Sequence, residues 1–206
     1  YQLTVNMCAL VLSIMGPFIG INTPITIIQM LWLNMIMDTF AGVAFSFEPA
    51  LDSYMHEPPK PKNEPIVNSY MIGEVLFTGI YSAILCILFL KAPIVRSFIR
   101  IGENYKYLMT AYFALFIFIG VFNSFNARSE RINIFANLNK NKVFLFIILF
   151  ILVVQVYLIY HGGDLFRTYG LTAKEFFIVL LLAMSVFPVD FIRKVYLRKH
   201  HLKTGV

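Results

Sequence analysis

The chain has 206 residues, of which 59% are apolar and only 14% charged, with a formal net charge of +6 and a mean hydropathy of +0.74. A water-soluble domain needs a polar coat that this composition does not supply. The basic excess lies in short segments beside apolar runs, not on one continuous face, so no nucleic-acid partner is expected.

Crossing a bilayer takes roughly 20 mainly apolar residues in a helix. Six runs reach or approach that length, at about 2–17, 25–45, 69–90, 107–123, 143–160 and 174–191. The sequence therefore predicts an all-α, polytopic transmembrane bundle of six helices. The first run starts at once, with neither a basic leading flank nor a small-residue cleavage site. A helix truncated at its start, in a fragment of a longer chain, is expected.

The segments between the runs favour helices over barrel strands. GPFIGINTP (Gly16–Pro24) is a turn without charge, and EPALDSYMHEPPKPKNEP (Glu48–Pro65) is a polar, proline-rich connection that hydrocarbon would not accommodate. NARSERINIFANLNKNK (Asn126–Lys142) and HGGDLFRTYG (His161–Gly170) are further polar loops. Barrel strands would alternate over about ten residues, whereas IILFILVVQVYLIY (Ile147–Tyr160) is apolar all round.

With six spans, one side of the membrane collects Lys60, Lys62, Arg128, Arg131, Lys140, Lys142 and the five basic residues from Arg193 to Lys203. The other holds Lys91, Arg96, Arg100, Lys106, Arg167 and Lys174. The richer side should be cytoplasmic. That places loops 46–68 and 124–142 and the tail 192–206 in the cytosol. Cys8 and Cys86 fall within spans, as small buried apolar residues, and show no disulfide or zinc spacing.

The second span holds LWLNMIMDTF (Leu31–Phe40). On a helix, Asn34 and Asp38 lie about 6 Å apart along the axis and nearly on one face. An ionised carboxylate at that depth costs at least ~2.5–3.5 kcal/mol on insertion scales. Either Asp38 is protonated and hydrogen-bonded to a neighbouring helix, or it belongs to a cation site. Amide and carboxylate oxygens suit calcium, magnesium or sodium better than thiophilic metals. Calcium takes about 6–8 oxygens and this pair supplies about three. Thr39 and Gly42 could let the helix loosen and lend backbone carbonyls. Asn6 in the first span could be a further ligand, or could bond a neighbouring helix. Glu74 and Asp190 fall near helix ends and read as interfacial, Asp190 within reach of Arg193 or Lys194.

These residues resemble the C-terminal membrane region of P-type calcium-transporting ATPases, the last six of ten membrane helices. LWLNMIMDTFAGVAFSFEP is similar to the sixth helix and its exit, and YQLTVNMCALVLSIMG to the fifth. FNSFNARSERINIFANLNKNK is similar to the end of the eighth helix and the loop after it, and VVQVYLIYHGG to the ninth. The resemblance implies a pump in which ATP phosphorylates an aspartate elsewhere in the parent chain. The membrane helices then alternate access to a cation site, with proton countertransport. Asn34 and Asp38 would be calcium ligands, with Asn6 and Thr39 as further candidates. Asp52 would lie in a loop that couples phosphorylation to the helices. ATP and Mg2+ would act only in the parent, so this fragment would not be active alone. Its partners would be the N-terminal part of the same pump and the lipid bilayer.

Sarcoplasmic-reticulum-type pumps carry a second site, whose aligned positions here are Ala9, Gly120 and Met37, all without the needed oxygen. The pattern is closer to the single-site, plasma-membrane type, which implies a plasma-membrane location. A relative moving sodium or manganese, or a stand-alone ion-coupled secondary transporter, remains the alternative.

Overall fold

Each of the six apolar runs folds as a helix. The structure is a computed structural model and describes residues 1–21, 24–49, 65, 67, 69–128, 132–135 and 138–199, with the side chains of 37, 38, 69 and 70 left out of the description. Helix α1 spans Gln2–Phe18, α2 Ile27–Ser46, α3 Ser69–Lys91, α4 Lys106–Ala127, α5 Lys142–His161 and α6 Ala173–Lys199. Helices α2 to α6 are long and apolar enough to cross a membrane, while α1, with 17 residues, is shorter. Among the described residues there is no strand, only an isolated bridge between Gly163 and Thr168.

Local chemistry sets the helix ends. Beyond Phe18 the chain makes a Schellman turn: Gly20 takes φ +76°, its N–H donates to Pro17, and the N–H of Ile21 donates to the Gly16 carbonyl at 2.9 Å. A Cβ on Gly16 would stand 2.7 Å from that Ile21 carbonyl oxygen, so glycine is needed there too. Helices α2 and α6 each open with a capping box, Thr26 with Gln29 and Thr172 with Glu175. Helix α5 is capped by Asn141, whose Oδ1 accepts from the Phe144 N–H at 2.8 Å. Helix α6 breaks at Ser185, three residues before Pro188, which has no N–H to offer the carbonyl of the preceding turn.

Helix α4 is the central post. Inside the bundle 83% of its apolar window is buried, against 28–39% for α2, α3, α5 and α6. It is apolar on every side, as a surrounded helix should be. It also runs four residues beyond the expected apolar stretch, because Asn123, Ser124 and Asn126 are buried against neighbours and not exposed to solvent. Between helices in lipid, close packing replaces the hydrophobic effect as the driving force, and small residues let backbones approach. Ala83, Ala111, Ala114 and Ala183 are fully buried at such contacts. At Gly79 of α3, an added Cβ would lie 3.3 Å from the Thr4 carbonyl and the Met7 side chain of α1. The Tyr81 hydroxyl of α3 donates to the Ser185 Oγ at the break in α6, at 2.7 Å. Helix α2 lies against α5 through Phe40–Phe150 and Phe45–Phe144 ring contacts.

Candidate cation site in the second helix

Helix α2 is not one uniform α-helix. It is α-helical over Ile27–Leu33, π-helical over Asn34–Phe40 and α-helical again over Ala41–Ser46. The π stretch is NMIMDTF, the segment with both expected ligands. Asn34 and Thr39 form helices poorly, which weakens the local preference for α-winding. Returning from i→i−5 to i→i−4 bonding passes over one carbonyl oxygen, so this geometry offers a backbone acceptor as well as side chains. π-Helical segments within α-helices occur frequently at functional sites.

Asn34 and Thr39 on α2 and Asn6 on α1 are all exposed, and so is Gly42. The backbone of Asp38 lies within the π stretch; its side chain, like all of Asp52, lies outside the described residues. Among the described residues no three His, Cys, Asp or Glu side chains converge. The hard-oxygen donors along this stretch are therefore Asn34, Asp38, Thr39 and the backbone. The uncovered face of α2 mixes these polar groups with Leu31 and Met35, whereas the uncovered face of α5 presents Phe146, Leu149, Val153 and Tyr157. An apolar face suits lipid; a face with two oxygen-bearing side chains at span depth suits protein or an ion.

Both ends of α2 are tied down by polar contacts that sequence reasoning missed. At its start the Gln29 Nε2 donates to the Phe166 carbonyl at 2.6 Å, and Trp32 meets the Phe166 ring edge-on at 5.6 Å. At its end Glu48 Oε1 accepts from Arg128 Nη1 at 2.9 Å, and Oε2 accepts from Asn141 Nδ2 at 2.9 Å. The same Asn141 amide donates to the Ala44 carbonyl at 3.2 Å, and Arg128 Nη2 donates to the Ile134 carbonyl at 2.9 Å. The Arg128 side chain is fully buried. The available signals were the Glu-Pro directly after an apolar span and the Asn-Ala-Arg at the end of another.

Two further charged clusters lie elsewhere. Asp190 pairs with both Arg193 and Lys194, as the sequence spacing allows, and Arg193 also approaches Glu74 of α3 at 3.8 Å. These four side chains are buried between α3, α4 and α6. Glu175, in the α6 capping box, accepts from the Arg100 Nε at 2.9 Å, the Arg100 Nη2 at 2.9 Å and the Arg100 backbone N–H at 2.8 Å.

The family described as "Cation transporting ATPase, C-terminus" matches residues 22–196. The chain belongs to this family. It is similar to calcium-transporting ATPase 8, plasma membrane-type, of Arabidopsis thaliana, with 32% identity over 198 residues, 94% of this chain and 18% of that protein. It is also similar to calcium-transporting ATPase 5, plasma membrane-type, of Oryza sativa subsp. japonica, at 29% over 198 residues, again 94% of this chain and 18% of the relative. Plasma membrane calcium-transporting ATPase 4 of Bos taurus is 29% identical over 196 residues, 90% of this chain and 16% of the relative. This cation-transporting ATPase region thus spans less than a fifth of the length of the curated relatives it matches.

Proposed function

We propose that the chain is the C-terminal membrane region of an ATP-driven calcium pump of the plasma membrane, and that α2 carries the side-chain ligands of a single calcium site. Asn34 and Asp38 are the ligands, with Thr39, a π-segment carbonyl and Asn6 of α1 as further candidates. The π-winding at Asn34–Phe40 carries this reading, because it coincides with the one stretch that combines an amide and a carboxylate at span depth. The exposure of Asn6, Asn34 and Thr39 supports it further: the remaining oxygens would come from other helices of the same pump, docked on that face.

Calcium is the cargo, and ATP and Mg2+ act in the parent protein, away from these residues. The rest of the pump and the bilayer are the partners. The C-terminus and the 46–68 loop face the cytosol, with Asp52 in the coupling loop. Ala9 is packed in the core and Gly120 is buried in α4, and neither offers a side-chain oxygen. That favours one site over two.

The test is ATP-driven calcium uptake into inside-out vesicles holding the full-length parent, comparing wild type with Asp38→Asn at equal insertion. Uptake by wild type and none by the variant is expected. Equal uptake by both would remove Asp38 from the site. Uptake of sodium or manganese in place of calcium would keep the pump and change its cargo.

A further inference from the structure

Helix α2 is fastened to α5 at both ends and rewound between them. Its first turn is held to the segment after α5 through Gln29 and Phe166, and its last turn to the start of α5 through Asn141. The two helices are therefore antiparallel, with α5 as a strut. Only 31% of the apolar window of α2 is buried by this chain, with Leu31, Met35 and Val43 exposed on the face where the rest of the pump would dock. Ring contacts of Phe40 and Phe45 hold the middle of α2 against α5, and the polar fastenings set where its two ends sit.

The fastening at Glu48 joins three elements. Arg128, at the end of the central α4, donates one arm of its guanidinium to Glu48 and the other to the Ile134 carbonyl. Asn141 shares its Nδ2 between Glu48 and Ala44 while its Oδ1 caps α5. Glu48 thus receives donors from two directions, one on each carboxylate oxygen. A glutamine at 48 would meet one of those donors with its own NH2 group, so that half of the contact becomes donor against donor. A lysine at 128 would keep the charge but lose the two-armed reach.

We propose that Glu48, Arg128 and Asn141 are positioning residues for cation binding. They lock the last turn of α2 to α4 and α5, and with the Gln29 contact they hold the ends of the helix. The winding of Asn34–Phe40 is thereby fixed, and with it the spacing of Asn34 and Asp38. A helix held at both ends cannot slide or tilt as a body, so a change in the site must occur as rewinding within the π stretch. This proposal rests on the reading above that Asn34 and Asp38 hold the cation.

The experiment uses the full-length parent in membrane vesicles: wild type, Glu48→Gln, Arg128→Lys, Asn141→Ala, and Glu175→Gln as a perturbation of a half-exposed ion pair remote from Glu48. Two quantities are read at equal insertion. One is the calcium concentration giving half-maximal phosphoenzyme from ATP; the other is phosphoenzyme formed from inorganic phosphate without calcium. Glu48→Gln and Asn141→Ala are expected to raise the half-saturating concentration about tenfold, the scale of one lost charge-assisted hydrogen bond. Arg128→Lys should raise it less, and phosphorylation from phosphate should persist in all. Glu175→Gln should leave the half-saturating concentration unchanged. The proposal is overturned if the three variants keep the wild-type half-saturation, or if Glu175→Gln shifts it as much as they do. If wild type answers to another cation, calcium leaves the proposed function, and the same comparison made with that cation still decides the positioning role.

Discussion

The Lys194 Nζ lies 2.9 Å from the Asp190 Oδ2, and each of the two side chains is 1% exposed. The pair is one turn apart on α6 and does not stand alone. Arg193 reaches the other oxygen of Asp190 at 2.8 Å and lies 3.8 Å from Glu74 of α3, and Lys194 also donates to the Asn126 carbonyl of α4 at 2.9 Å. Two carboxylates and two cations are thus enclosed where three helices meet. Taking such charges out of water is expensive, and their mutual attraction offsets it only while all partners are present.

Removing one partner is therefore worse than removing a matched pair. Asp190→Ala should destabilise the parent's membrane region by about 3–5 kcal/mol, because Arg193 and Lys194 both lose the buried carboxylate they pair with. The double change Asp190→Asn with Lys194→Met should lose less than Asp190→Ala alone. Thermal melting in detergent orders the variants. A loss below about 1 kcal/mol for Asp190→Ala would mean that water reaches the cluster.

The Glu175 cluster should behave differently because its cation is half in water. Glu175 is 2% exposed and Arg100 46%. Arg100→Ala removes a hydrated charge but leaves the Arg100 and Thr172 backbone N–H groups donating to the carboxylate. It should cost less than about 1 kcal/mol. Glu175→Ala leaves both N–H donors without an acceptor, although Thr172 Oγ1 still accepts from the N–H of residue 175, and should cost about 1–3 kcal/mol. The same melting experiment separates them, and a larger loss for Arg100→Ala would contradict this order.

The helical class was legible because apolar runs of membrane length separated by proline-rich and polar segments leave few other folds. The importance of NMIMDTF was legible because a carboxylate within such a run is costly. The π-winding itself was not legible: Thr39 and Gly42 hinted at a loosened helix, but neither specifies i→i−5 bonding. The clamp at Glu48 was hidden for another reason. Its members are 80 and 93 residues apart in sequence, and each alone reads as a solvated loop residue. Glu74 and Arg193 likewise meet only through helix packing, which no spacing rule in a single sequence encodes.

The four candidate ligands should not weigh equally. In the proposed site Asp38 would supply the charge, so Asp38→Asn should abolish uptake, while Asn34→Ala should raise the half-saturating calcium concentration about tenfold by removing one neutral oxygen. Thr39→Ala should shift it less, since a neighbouring backbone oxygen remains. Calcium-dependent phosphorylation of the parent measures all three. A Thr39 effect exceeding that of Asn34 would move the centre of the site along α2.

The last prediction links packing to the site through α1. Thr4 and Met7, which crowd Gly79 of α3, flank Asn6 in sequence. Gly79→Ala gains up to about 1 kcal/mol of helix propensity but brings a Cβ within 3.3 Å of the Thr4 carbonyl and Met7, so its net effect on stability should be small. Gly79→Leu cannot be absorbed that way, because one of the crowding atoms is backbone, and it should cost about 1–3 kcal/mol. To make room α1 must move away from α3, and Asn6 moves with it. If Asn6 is a ligand, Gly79→Leu should weaken calcium activation as well as lower the melting temperature, and Asn6→Ala should reproduce the first effect without the second. Melting and calcium half-saturation measured on the same preparations decide it. A Gly79→Leu variant that melts early yet binds calcium normally would leave Asn6 as a contact between helices.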